Sequence, residues 1–239
     1  MKTTKKLCYV SVVALLLSAT NLFATLSTGT LTITAPGLSH GDVNGPYDVV
    51  STPATGADLG NFDTFCLAYT VDYYSGGKYD YVVSTDVEPQ AGGFGGTGKG
   101  YVTLGTAWLY SQYLDNNAAL TGKNDAIQEV IWYLQGQSAP TSASGYDTIL
   151  DLVDTQFGGN VDNNANGEYG IYALNLLIGT GSGYASAAPG DAHGYAQPQL
   201  CYIPAPVPEP GTVMAGMLIL APLTASTVRR LRKNKSAIK

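Results

Sequence analysis

Two apolar runs, one near each end of the 239-residue chain and each abutting basic residues, confine the folded part to what lies between them. Met1–Lys6 carries three lysines, Leu7–Leu17 is almost wholly apolar, and Ser18–Ala24 turns small and polar. That order is the n-, h- and c-region pattern of a secretory signal, with cleavage expected near Ala24. At the other end Val213–Val228 is mostly apolar, interrupted by Pro222, and closes on Arg229, Arg230, Arg232 and Lys233. The stretch is slightly short of the ~20 residues a relaxed spanning helix wants, and bilayer thinning lets it span. Basic residues packed against its C-terminal end put that end in the cytoplasm. The expected layout is a signal over 1–24, an exported globular domain over 25–204, and a linker and tail over 205–239 with a transmembrane helix over 213–228.

Setting both ends aside changes the charge. Of twelve lysines and arginines only Lys78, Lys99 and Lys123 remain, against seventeen acids between Asp42 and Asp191, a net charge of about −14. A surface that acidic excludes binding to a phosphate backbone, so no nucleic-acid partner is expected.

The tail has a more specific reading. Val207-Pro208-Glu209-Pro210, followed by the apolar stretch and the basic cluster, resembles the PEP-CTERM sorting signal of Gram-negative bacteria. The resemblance covers Val207 to about Lys235. It implies an exosortase-type processing enzyme as partner, transient anchoring in the membrane, and delivery to the cell surface or extracellular matrix beside an exopolysaccharide system.

The middle is rich in Gly, Thr, Tyr and Asn, which reads as strands joined by turns around a helical centre. The expected class is α+β: a mainly β domain, sandwich or barrel-like, with two to three inserted helices. Strands are expected at Thr30–Thr34, Phe65–Tyr74, Tyr79–Ser84, Tyr169–Ile178 and Gln199–Ile203, with Ser75-Gly76-Gly77 turning a hairpin between the second and third. Helical spacing marks Tyr101–Leu114 and Asn124–Gln135, the latter stopped by Gly136, and a third helix over Ser144–Phe157 capped by Ser144. Gly179–Gly194 reads as a long small-residue loop or a lid.

Several motifs dissolve on inspection. Gly93–Gly100 nearly spells a phosphate-binding loop, but Gly100 stands where a metal-binding hydroxyl is needed. Asp162-x-Asn164-x-Asn166-Gly167 matches the first half of a calcium loop, yet its twelfth position is Ala173, without the bidentate carboxylate; a surface turn explains the same letters, and weak calcium binding stays the alternative. His40 and His193 have no Cys or acid at zinc spacing, so neither metal nor cofactor is expected. Asp151 and Asp154 are an acid pair of the kind hydrolases use, and equally ordinary solvated helix positions. The domain is expected to bind, not to catalyse.

The informative pair is Phe65-Cys66-Leu67 on an expected strand and Ile127-Gln128-Glu129-Val130-Ile131-Trp132 in the first turns of an expected helix. These segments resemble the signature of bacterial thioester domains of the surface-adhesin type, over roughly Phe62–Leu134. Glu129 and Val130 depart from the small residues often found after the glutamine. The resemblance implies a bond between the Cys66 thiol and the Gln128 carboxamide, able to attach the protein covalently to an amine-bearing surface or matrix component. Such a bond needs a dry pocket, for which Phe65, Trp108, Trp132 and Tyr133 are the candidate shields. A different class stays open: a noncovalent matrix or biofilm structural protein with a tyrosine-rich, carbohydrate-facing surface. There Cys66 and Cys201 would form a disulfide worth ~4–5 kcal/mol through the loop it closes.

Overall fold

The computed structural model describes residues 27–34, 45–69, 75–88, 98–137, 141–178 and 194–204. The expected signal, Val207–Pro210, the apolar stretch 213–228, the basic cluster, His40, His193 and Gly93–Thr97 lie outside the described residues. Met1–Ile203 cluster as one compact unit and Pro204–Lys239 as a second. Among the described residues no helix is long and apolar enough to cross a membrane.

Six strands form one antiparallel sheet: β1 (Thr28–Thr34), β2 (Tyr47–Thr55), β3 (Asn61–Thr64), β4 (Lys78–Ser84), β5 (Ile171–Leu177) and β6 (Gln199–Tyr202), in the order β3-β2-β1-β4-β5-β6. Among the described residues three α-helices of at least two turns lie between β4 and β5: α1 (Leu104–Leu114), α2 (Asn124–Leu134) and α3 (Tyr146–Phe157). Side chains of a strand alternate between faces, and here each face has its own core. Leu31, Ile33, Tyr47, Val49, Tyr79, Tyr81, Val83, Leu174 and Leu176 fill the inside of the curled sheet. The helices pack on one another and on Phe65, Leu67, Ile171, Ala173 and Leu200.

The sheet curls until its outer strands meet. Just beyond β3, Leu67 N–H donates to the Pro198 carbonyl at 2.8 Å and Leu200 N–H to the Phe65 carbonyl at 3.0 Å. The Thr64 hydroxyl donates to the Leu200 carbonyl at 2.6 Å. Cys66 lies opposite Gln199 in an isolated antiparallel bridge. The result is a mainly β, nearly closed barrel-like sheet with a few helices, and residues 64–67 and 198–200 are its closing seam.

Three local expectations change. The hairpin between 65–74 and 79–84 is absent, because β4 is flanked by β1 and β5. The strand ahead of it is β3, ending at Thr64, and Phe65–Tyr69 run irregularly along the seam. Ser144 does not cap α3: Gly145 occupies the cap at φ 96° without a side-chain bond. Strand β2 was unanticipated. The stop at Gly136 is as expected, with φ 72° and its N–H bonded to the Tyr133 carbonyl at 2.8 Å.

Candidate functional site

Seam residues carry backbone polar groups that no regular ladder satisfies, and buried groups of that kind need partners. Glutamine side chains supply them. The Gln128 carboxamide faces Cys66 squarely: its Oε1 accepts from Cys66 N–H at 2.8 Å and its Nε2 donates to the Cys66 carbonyl at 2.8 Å. Gln197 Nε2 donates to the Ala68 carbonyl at 2.8 Å. Gln199 Nε2 lies 3.4 Å from Cys66 Sγ and also donates to the Gln197 carbonyl at 3.2 Å. Cys66, Gln128 and Gln199 are all fully buried.

Helix α2 makes this possible through its spacing. Gln128 and Trp132 are four residues apart and share one helix face, and that face turns to the seam. Trp132 enters the sheet's inner core beside Cys66's cluster, its ring edge-on to Tyr69 at 4.9 Å. Ile127, Val130, Ile131 and Leu134 go to the helical core instead. Phe65, one residue along from the thiol, points among the helices and meets Tyr113 edge-on at 4.9 Å. Gly45 closes the remaining side: a Cβ there would stand 2.8 Å from the Phe65 ring and 3.3 Å from Gln128 Oε1.

Of the four expected shields, Phe65 and Trp132 stand at the pair. Trp108 packs on Phe157 at 5.8 Å among the helices, and Tyr133 is 52 % exposed. Cys66 and Cys201 are not bonded to each other. Because Cys66 faces Gln199, Cys201 is its diagonal neighbour, some 7–8 Å away by sheet geometry, whereas a disulfide needs Cβ atoms about 3.5–4.5 Å apart. Burial pushes the Cys201 thiol far above the ordinary range. Sequence reasoning missed Gln197, Gln199 and Gly45. The only advance signal was a Gln-Pro-Gln run in an otherwise apolar closing strand.

The other candidates fall elsewhere. Asn164 Oδ1 accepts from Asn166 N–H at 2.8 Å, and Asp162 pairs with Lys99 at 3.7 Å, so these letters build a surface turn. Asp151 and Asp154 are exposed on α3. Three buried polar atoms have no hydrogen-bond partner among the described residues: Trp132 Nε1, Tyr81 Oη and Gln199 Oε1. The first and last belong to side chains that adjoin the thiol's cluster.

Chemically, the arrangement holds a carbonyl carbon against the residue that carries a thiol, with an N–H already bonded to the carbonyl oxygen. Water is excluded. Compared with known families, characterised proteins and solved structures, the chain matches none.

Proposed function

We propose that this is an exported surface protein that attaches covalently to amine-bearing targets through an internal Cys66–Gln128 thioester. The observation that supports the reading is the pair of 2.8 Å hydrogen bonds that holds the Gln128 carboxamide on Cys66 inside a fully buried pocket.

The chemistry balances without a cofactor. Cys66 Sγ attacks Gln128 Cδ, the C–S bond forms, the C–N bond breaks, and the nitrogen leaves as ammonia carrying the thiol proton. Cys66 N–H, already on Oε1, stabilises the oxyanion of the tetrahedral intermediate. A target amine then attacks the acyl carbon, forms an amide, and returns the thiol. Each molecule reacts once. The sorting tail, read from Val207–Pro210 and the basic cluster, would deliver the domain to the envelope through an exosortase-type enzyme before this reaction takes place.

A second reading has its own support: both bonds use Cys66 backbone atoms, and the sulfur faces Gln199. In that reading Gln128 is a brace for the seam, and the protein is a noncovalent matrix component.

Intact mass of the full exported chain, before and after methylamine and beside Cys66→Ala, separates the two. The thioester reading expects a mass about 17 Da low, then restored with methylamine added at Gln128, and neither change in Cys66→Ala. Full mass with no methylamine uptake refutes it, and a deficit of about 2 Da would signify a disulfide instead.

A further inference from the structure

Beyond Thr64 the seam opens. Among the described residues Asn61–Asp63 of β3 pair only with β2, and Tyr202 of β6 only with β5. Between them, floored by the last turn of α1, runs an open groove of about 580 Å³. That volume is in the range of small-molecule and oligomer sites. The exposed rings of Tyr169 and Tyr202 and the half-buried Phe62 line the groove, with the fully buried Tyr110 beneath, and Asn61 and Gln112 stand between them.

One of those rings is held in place at a conformational cost. Tyr169 has φ 59°, a left-handed conformation unfavourable for an aromatic residue. The turn is locked on both sides: Gly170 N–H donates to the Gly167 carbonyl at 3.1 Å, and Ile203 N–H to the Gly170 carbonyl at 2.8 Å. Gly170 has no side chain where Tyr202 lies, and a Cβ there would stand 2.8 Å from Tyr202 Cε2. Tyr169 and Tyr202 are nevertheless 36 % and 46 % exposed. Strain that presents rings to solvent is the kind found at binding sites.

The lining selects the ligand. Flat aromatic faces suit the C–H-bearing faces of pyranose rings. The Asn61 amide and Gln112 Nε2 offer hydrogen bonds to hydroxyls, while Gln112 Oε1 already accepts from Asn117 Nδ2 at 2.9 Å and the Ser111 hydroxyl donates to the Trp108 carbonyl at 2.7 Å. Among the described residues no lysine or arginine lines the groove, and Asp115 adds negative charge, so anionic polymers are disfavoured. A peptide strand would find only two or three backbone positions to pair with on edges this short. We infer that the groove between β3, α1 and β6 binds a neutral saccharide chain, independently of the Cys66–Gln128 pair.

Electrophoresis of the full chain, in a non-glycosidic detergent, through native gels containing hydroxyethyl cellulose, mixed-linkage β-glucan, dextran or alginate tests this. Retardation by at least one neutral polymer and not by alginate is expected. Titration with the matching hexasaccharide should show at least tenfold weaker binding in Tyr202→Ala and in Tyr169→Gly, which relieves the strained φ. Tyr133→Ala, an exposed tyrosine outside the groove, should bind as the parent does. Absence of retardation by every neutral polymer overturns the inference. So does binding that ignores Tyr202, or capture of an extended peptide that the hexasaccharide cannot displace.

Discussion

Cys66→Ala and Gln128→Ala should cost stability in a ratio that reports whether the two side chains are joined. The hydrogen bonds of Gln128 end on backbone atoms of Cys66, so Cys66→Ala leaves both in place. On packing alone, removing the buried sulfur costs about 1 kcal/mol. Gln128→Ala strips a buried N–H and a buried carbonyl of their partners, at about 1–3 kcal/mol each, for a total of about 3–5 kcal/mol with the small cavity. A covalent bond changes the first number. The residues are 62 apart in sequence, and in the chain-entropy picture a cross-link closing such a loop contributes about 4 kcal/mol. Cys66→Ala would then cost about 5 kcal/mol, and methylamine treatment of the parent protein would remove most of the same amount. Urea unfolding followed by the fluorescence of Trp108 and Trp132, both buried, measures all three. A Cys66→Ala loss near 1 kcal/mol beside a much larger Gln128→Ala loss refutes the cross-link. A Gln128→Ala loss below about 1 kcal/mol refutes the hydrogen-bonded pair itself.

Gly45→Ala should destabilise the protein by about 1–3 kcal/mol, because its Cβ would press on the Phe65 ring and Gln128 Oε1; an unchanged urea midpoint would mean that this wall of the pocket is not closed. Asp48 stands directly across from Asp63, and burial, then the hydrogen bond and like charge of Asp63, raise its pKa above the ordinary value. A raised acid binds its proton more tightly when folded, so this stability is present below the unfolded pKa and is lost as pH rises through the folded one. Asp48→Asn should flatten that part of the pH–stability profile just above the ordinary aspartate range, and identical profiles would exclude the coupling. Cys201, buried and held as the thiol, should resist maleimide in the native protein and react after urea; native labelling at the unfolded rate would contradict its burial.

What the sequence disclosed follows the range of each signal. Tyr79, Tyr81 and Val83 face inward with half-buried residues between them, a clean two-residue period that was legible in advance. Strand β2 was not, because only Tyr47 and Val49 are buried and the strand continues through half-buried Ser51 into exposed Thr-Pro-Ala-Thr. Its pattern ends after two periods, and Pro53 argues against a strand. The assumed hairpin failed for a related reason: a turn signal says that the chain reverses, not which strand becomes the neighbour. Cys66 and Gln128 were legible as types because a thiol and a carboxamide with flanking aromatics make a recognisable pair. Gln199 was not, since it reaches the sulfur across 133 residues through closure of the sheet, which no local period encodes.

The seam also bears on which nucleophile the proposed bond would accept. Loss of ammonia takes away Nε2, the donor that satisfies the buried Cys66 carbonyl, and a buried acceptor left bare costs about 1–3 kcal/mol. The proposed thioester state would therefore carry a penalty that the amide state does not. Attack by a primary amine yields a secondary amide, whose remaining N–H can donate again to that carbonyl. Attack by an alcohol yields an ester with no N–H, and the carbonyl stays unsatisfied. Under the proposed thioester the pocket would thus favour amines over hydroxyls through a hydrogen bond regained in the product, in addition to the greater nucleophilicity of nitrogen. Parallel incubations with methylamine and with methanol at equal concentration, followed by intact mass, should give an adduct with the first only. Equal adduct formation with both would show that the Cys66 carbonyl has no part in the selection.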